Sequence, residues 1–227
     1  MKNTDDNNNN IELSDKIREK NSINQNTTKK PNLNNITDEE YEIERKKLLE
    51  LVENNKSNLK KIAASLPDRN LISMEDMSLC MKNKSHNLSE IEKVYMLFYW
   101  FHLNIAYDAD GYFKAEGISQ PDLAYKYGKG ICSGYSKLYI YLGKAIGINV
   151  DSISGYAKGY RWNKDNEPNI NHQWNYIIIK NVYYLFDVTG GSGCFKNNKY
   201  EKRLDEIRFL PSPRNYLFTH LSSDSKF

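Results

Sequence analysis

Gly130-Ile131-Cys132-Ser133-Gly134-Tyr135-Ser136 sets one cysteine between a flexible glycine and the first turn of a helix. Tyr135, Leu138, Tyr139, Leu142, Ala145 and Ile146 recur at three- and four-residue spacing, and Gly147 is placed to end the run in a left-handed conformation. Cys132 therefore falls at a helix N-terminus. Unpaired backbone N–H groups and the positive end of the helix dipole favour thiolate over thiol there, and the thiolate is the nucleophile. Free cysteines are also among the most buried residue types, so this stretch alone leaves an inert, packed thiol open.

Downstream of Gly147 the apolar period changes from helical to alternating. Ile148, Val150, Ile153 and Tyr156, then Trp174 to Ile179 and Val182 to Val188, read as strands, so the second half is a sheet. Lys180-Asn181 interrupts the last two runs, and Asn in a two-residue connection favours a primed turn and an antiparallel hairpin. If Ile179 faces Val182, then Trp174 faces Asp187 and His172 faces Thr189. His172 and Asp187 then share a face as diagonal neighbours roughly 7–8 Å apart at Cα. A one-residue slip would send Asp187 to the opposite face. An aspartate ending so apolar a run is costly to bury unless something hydrogen-bonds it, and an imidazole N–H would serve. The ordered set is Cys132 as nucleophile, His172 to take its proton, and Asp187 to hold the imidazole tautomer. Between the first strand and His172 lies Lys158 to Asn171, polar, holding Trp162 and Pro168, and long enough to rim a cleft.

Upstream, residues 1 to about 36 are Asn, Lys, Asp, Ser and Thr with few apolar side chains, a composition that stays disordered. Thr37 with Glu40 makes a capping box for one long or two short amphipathic helices running to Pro67. Ser73 opens a short helix through Met81, and Ser89 with Glu92 caps a second, Ile91 to Ile105. That helix is the most apolar in the chain: Val94, Leu97, Phe98, Phe101 and Ile105 cover one flank and Tyr95, Tyr99 and His102 another, which makes it central. His102 reads as a packed or surface histidine. Tyr107-Asp108 leads into a loop through Gly111 and Gly117, and Asp122 to Tyr127 forms a turn of helix before the cysteine stretch.

The totals narrow the classes. The 227 residues are 39% hydrophobic with a formal charge of +3 from 32 basic and 29 acidic side chains, and a mean hydropathy of -0.74. The charges are interspersed and leave no footprint for nucleic acid or anionic membrane. Cys80, Cys132 and Cys194 cannot all pair within the chain, and none sits in a C-x-x-C spacing. No signal-like h-region and no eighteen-residue apolar run is present, so a soluble cytoplasmic protein without a membrane span is the expectation.

Gly130 to Tyr135, His172-Gln173-Trp174-Asn175, and Asp187-Val188-Thr189 with Gly191-Ser192-Gly193 together resemble the transglutaminase-like superfamily, whose members share a papain-like core and a Cys, His, Asp triad in that chain order. Phe209-Leu210-Pro211 through Asn215-Tyr216-Leu217-Phe218-Thr219-His220-Leu221 resembles the segment after the triad in the branch containing kyphoscoliosis peptidase and cytokinesis-related proteins. The likeness covers about residues 87–221. It implies an α+β fold, with a helical N-terminal half that carries the nucleophile at a helix N-terminus and packs on an antiparallel β-sheet. The chain then divides into a disordered tail (1–36), an amphipathic helical extension (37–84) and a transglutaminase-like domain (85–227). Gly190 stands where many relatives carry Trp, removing an aromatic packing partner near the acid. The resemblance implies thiol-dependent acyl transfer at a peptide or glutamine carbonyl of a protein or peptide substrate, as a cysteine protease, deamidase or transglutaminase. It calls for no cofactor and no metal. The backbone N–H of Cys132 is the natural first oxyanion donor, with Gln120 a candidate for the second by analogy. A non-catalytic interaction module is the alternative, and a metal held by Cys132, His172 and Asp187 a weaker one.

Overall fold

The computed structural model describes residues 36–159, 169–196 and 199–224. Most of the Asn-rich tract and of the segment expected to rim a cleft, with Trp162 and Pro168, lie outside them.

Capping residues start the helices where the sequence places them. Thr37 and Glu40 exchange hydrogen bonds at the head of α1 (Asp38–Ala64), which is one continuous helix of 27 residues ending three residues before Pro67. Ser73 accepts the Asp76 N–H to open α2 (Met74–Lys84). Glu92 accepts the Ser89 N–H at 2.8 Å to open α3 (Glu90–Asn104). Helix α3 is buried on both flanks: Ile91, Val94, Leu97, Phe98 and Phe101 are covered, and so are Tyr95 and Trp100. Val52, Leu59 and Ala63 of α1 close one side. Each fully buried side chain of this size contributes about 1.5–3 kcal/mol.

Beyond α3 the chain runs through β1 (Ala106–Tyr107), α4 (Ala109–Phe113), α5 (Pro121–Tyr127) and β2 (Lys129–Gly130) to α6 (Cys132–Ala145). The stretch read as a plain loop after Tyr107 is more ordered than that. Strand β1 pairs in parallel with β2, and the buried Asp108 gathers Lys129 Nζ at 2.9 Å and the Ile118 N–H at 3.1 Å. Gly147, at φ 84°, takes the left-handed conformation after α6. Two buried tyrosine hydroxyls tie α6 to the central helix: Tyr139 donates to Val94 O at 2.7 Å and Tyr135 to Ile105 O at 2.8 Å.

The second half supplies a four-stranded antiparallel sheet of order β5-β4-β3-β8, from β3 (Val150–Ala157), β4 (His172–Ile179), β5 (Val182–Phe186) and β8 (His220–Ser222). Lys180 and Asn181 both take positive φ, 52° and 64°, as a primed two-residue turn requires. Ile179 faces Val182 and the ladder runs to Asn175 opposite Phe186. Strand β5 stops there, two residues short of the reading from periodicity, because Asp187 caps a short helix α7 (Val188–Ser192) instead of continuing the ladder. A small hairpin, β6 (Gly193–Lys196) with β7 (Lys199–Lys202), and a short helix α8 (Pro213–Tyr216) complete the described chain.

One face of β4 lies on α6. Asn175, fully buried, accepts a hydrogen bond from Ser136 Oγ at 3.2 Å and donates to Ser136 O and Asp151 O, both at 3.3 Å. Ser136 lies four residues after Cys132 and Asn175 three after His172, so this contact sets helix against strand where the site is built. Asn175→Leu strands the buried Ser136 hydroxyl and two carbonyl contacts. We expect it to cost about 1–3 kcal/mol, read as a lower urea midpoint with an unchanged slope.

Candidate active site

Cys132 is the first residue of α6, with Ile131 as the N-cap in extended conformation. The preceding strand segment is pressed against this start: the Ile131 N–H donates to Ile118 O at 2.9 Å, and a Cβ at Gly134 would collide with that same carbonyl. Glycine at 134 is therefore a close-approach requirement. His172 opens β4 and Asp187 follows β5, so a helix start and two neighbouring strands converge.

His172 Nε2 lies 3.1 Å from Asp187 Oδ2, the contact that the hairpin parity demands. Cys132 lies beside this imidazole and the Gln173 N–H, the neighbours that act on its thiol. With Nε2 committed to the carboxylate, Nδ1 is the nitrogen left for the sulfur. Asp187 is buried and tied at its other oxygen, where Oδ1 accepts the Gly190 N–H at 3.0 Å. Gly190 leaves no space for a larger residue, since a Cβ there would stand 2.6 Å from Asp187 Oδ2 and 3.4 Å from Arg208 Nε.

The three groups set each other's charge. Burial pushes the Cys132 thiol up, but the His172 hydrogen bond and positive charge and the Gln173 N–H more than offset it, so the thiol ionises below its ordinary range. For His172 burial alone would depress the imidazole, and the Asp187 charge and hydrogen bond, helped by Cys132, raise it to about 10. Asp187 is pushed up by burial and held well below the usual carboxylate range by His172 and, after it, His220. A lowered thiol beside a raised imidazole favours transfer of the proton from sulfur to ring, toward a thiolate–imidazolium pair.

A cavity of about 350 Å³ opens on His172, Asp187 and His220, walled by Tyr107, Tyr112, Phe195 and Tyr200 and flanked by Lys158 and Arg208. Gln120 caps α5 without a side-chain hydrogen bond to it and is exposed, one residue past the Ile118–Ser119 segment that abuts the start of α6. His102 is half-buried with Nδ1 3.2 Å from Ser192 O, a packed histidine. Among the described residues, the side chains whose donor atoms gather within 4.8 Å as a metal could use are His172, Asp187 and His220, not the Cys132 set. His220 is the member that the reading of the sequence left without a role, because nothing in the local pattern of Thr219-His220-Leu221 ties it to a residue 33 positions earlier.

Residues 79–188 match the family model described as the transglutaminase-like superfamily. Kyphoscoliosis peptidase of Mus musculus and that of Homo sapiens are each 24% identical over 144 residues, 61% of this chain and 22% of theirs. The chain thus spans about a fifth of the length of the curated relatives it matches. Among solved structures, one titled "Crystal structure of a TGase" shares 16% identity, covers 87% of this chain and 42% of its own, and has a TM-score of 0.34. No helix of the described residues is long and apolar enough to cross a membrane.

The charge state has a direct readout. Carboxymethylation of Cys132, followed by mass spectrometry against pH, should persist well below the ordinary thiol range, because a lowered thiol pKa keeps thiolate present as pH falls. In His172→Ala the acid limb should move up into that range; a wild-type limb already at the ordinary value would contradict the ion pair.

Proposed function

We propose that this chain, residues 79–188 of which belong to the transglutaminase-like superfamily, carries out thiol-dependent acyl transfer at a peptide or glutamine carbonyl of a protein or peptide substrate. The observation that carries this reading is the convergence of Cys132, at the start of α6, with the hydrogen-bonded pair of His172 and Asp187. Such an arrangement does what a nucleophile, its base and an orienter need.

In the first half-reaction the Cys132 thiolate attacks the carbonyl carbon and the C=O electron pair moves to oxygen. The Cys132 N–H, at the first position of α6 where helical donors lack an intrahelical acceptor, is the candidate first donor to the developing oxyanion. Gln120 is the candidate for the second donor. Collapse breaks the bond to the leaving nitrogen, which takes a proton from His172 Nδ1, and an acyl-thioester remains. Water or an amine then attacks, gives its proton to His172, and releases thiolate. Asp187 stabilises imidazolium throughout and stays ionised. The word peptidase in the names of both curated relatives weighs for water as the acceptor.

An activity-based alkylating probe tests the assignment. It should label Cys132 ahead of the half-buried Cys80 and Cys194, and His172→Ala should slow labelling and peptide turnover by roughly 10²–10⁴. Equal labelling of all three thiols, unchanged in His172→Ala, would overturn it.

A further inference from the structure

Asp187 is faced by a second imidazole that the acyl-transfer steps do not use. His220 opens β8, whose register sets it opposite Ala157 on β3, while β3 sets Gly155 opposite His172 on β4. Its Nε2, buried and without a hydrogen-bond partner, lies 3.5 Å from Asp187 Oδ2, the oxygen that His172 Nε2 meets at 3.1 Å. The ring is 4% exposed, stacked on Tyr216 at 3.9 Å and 6° and edge-on to Trp174 at 5.0 Å between centroids. It cannot swing away without opening that aromatic stack.

We propose that His220 is a positioning residue, turning its buried Nε2–H toward Asp187 Oδ2 and thereby restraining the carboxylate that orients His172. This inference rests on the acyl-transfer reading of Cys132, His172 and Asp187.

The tautomer follows from what each neighbour can accept. A carboxylate oxygen only accepts, so a bare imidazole nitrogen turned toward it would set lone pair against lone pair; Nε2 must carry a proton. Burial disfavours the charged ring, which leaves a single proton and makes Nδ1 an acceptor. Thr219 Oγ1 lies 2.8 Å from that Nδ1. The competing acceptor for the hydroxyl, Tyr216 O at 3.2 Å, already takes the Thr219 N–H at 3.0 Å, so the hydroxyl can turn to the ring. Arg208 adds to the burial in keeping His220 neutral and is itself 3.8 Å from Asp205. Tyr107 and Tyr216, neutral phenols held above their ordinary range by burial, face the same carboxylate. The resulting order is Thr219 to His220 to Asp187, with His172 and Cys132 beyond it. Asp187 is then held at Oδ1 by Gly190 N–H and at Oδ2 by His172, with the His220 Nε2–H facing that same oxygen from the other side and opposing rotation away from His172.

Two substitutions separate the donor from the packing. His220→Phe keeps a flat ring between Tyr216 and Trp174 and deletes the N–H, whereas His220→Gln can return an amide N–H. Carboxymethylation of Cys132 is followed against pH in the full chain for wild type and both variants, with melting temperature measured alongside. Loss of the donor should move the acid limb of His220→Phe up by about one pH unit, about a tenfold slower reaction at pH 6, and His220→Gln should recover most of that loss. A His220→Phe profile that overlays wild type, or equal slowing in Phe and Gln, overturns the role of His220. If wild-type Cys132 reacts no faster than Cys80 and Cys194 at pH 6, the acyl-transfer reading has failed and this inference falls with it. A fast wild-type Cys132 beside an unshifted His220→Phe removes only the inference.

Discussion

The register of one hairpin governs this site. Strand pairing has a side-chain period of two, so the number of residues between β4 and β5 decides on which face Asp187 emerges. Lys180 and Asn181, both at positive φ, make that number two and leave no slack for a slip. With the parity set, a carboxylate that would otherwise be an isolated buried charge meets an imidazole, and the cost of burying it is offset within the site. The ladder ends at Phe186 at the place where the backbone is needed for another purpose, capping α7 through Asp187 and bringing Gly190 N–H to the carboxylate.

The sulfur reaches the same place by a separate route. Helix α6 starts where β2 ends, pressed against Ile118 and locked to β4 through Ser136 and Asn175, while its tyrosines bond the carbonyls of α3. The aromatic and aliphatic core around α3 is therefore a rigid seat for the Cys132 sulfur, not a bystander. Preorganisation of this kind matters for the proposed acyl transfer because a small displacement between sulfur and imidazole costs the proposed ion pair and the near-attack geometry together.

Much of this was legible in the chain itself, and the reasons are local. The capping pairs Thr37 with Glu40 and Ser89 with Glu92, the helical spacing after Tyr135 and the Asn at the hairpin turn are short-range signals, and each structure they specify forms. The antiparallel sheet follows from the same signals read together. What escaped has a common cause in contacts between distant segments. The Val182 run looked like a strand through Val188, yet tertiary use of Asp187 as a cap ends it earlier. The region after Tyr107 looked like a loop, yet pairing with Lys129-Gly130, twenty-odd residues on, orders it. His220 arrives beside Asp187 only because β8 returns to the far edge of β3, which no sequence period announces.

Nitrogen-15 NMR of the histidine rings in the uninhibited protein bears most directly on the proposed ion pair. The account predicts that His172 stays doubly protonated through neutral pH and titrates near 10, far above an ordinary histidine, while His220 stays neutral. A His172 ring that loses its proton near pH 6.5, with no change on replacing Cys132, would contradict it.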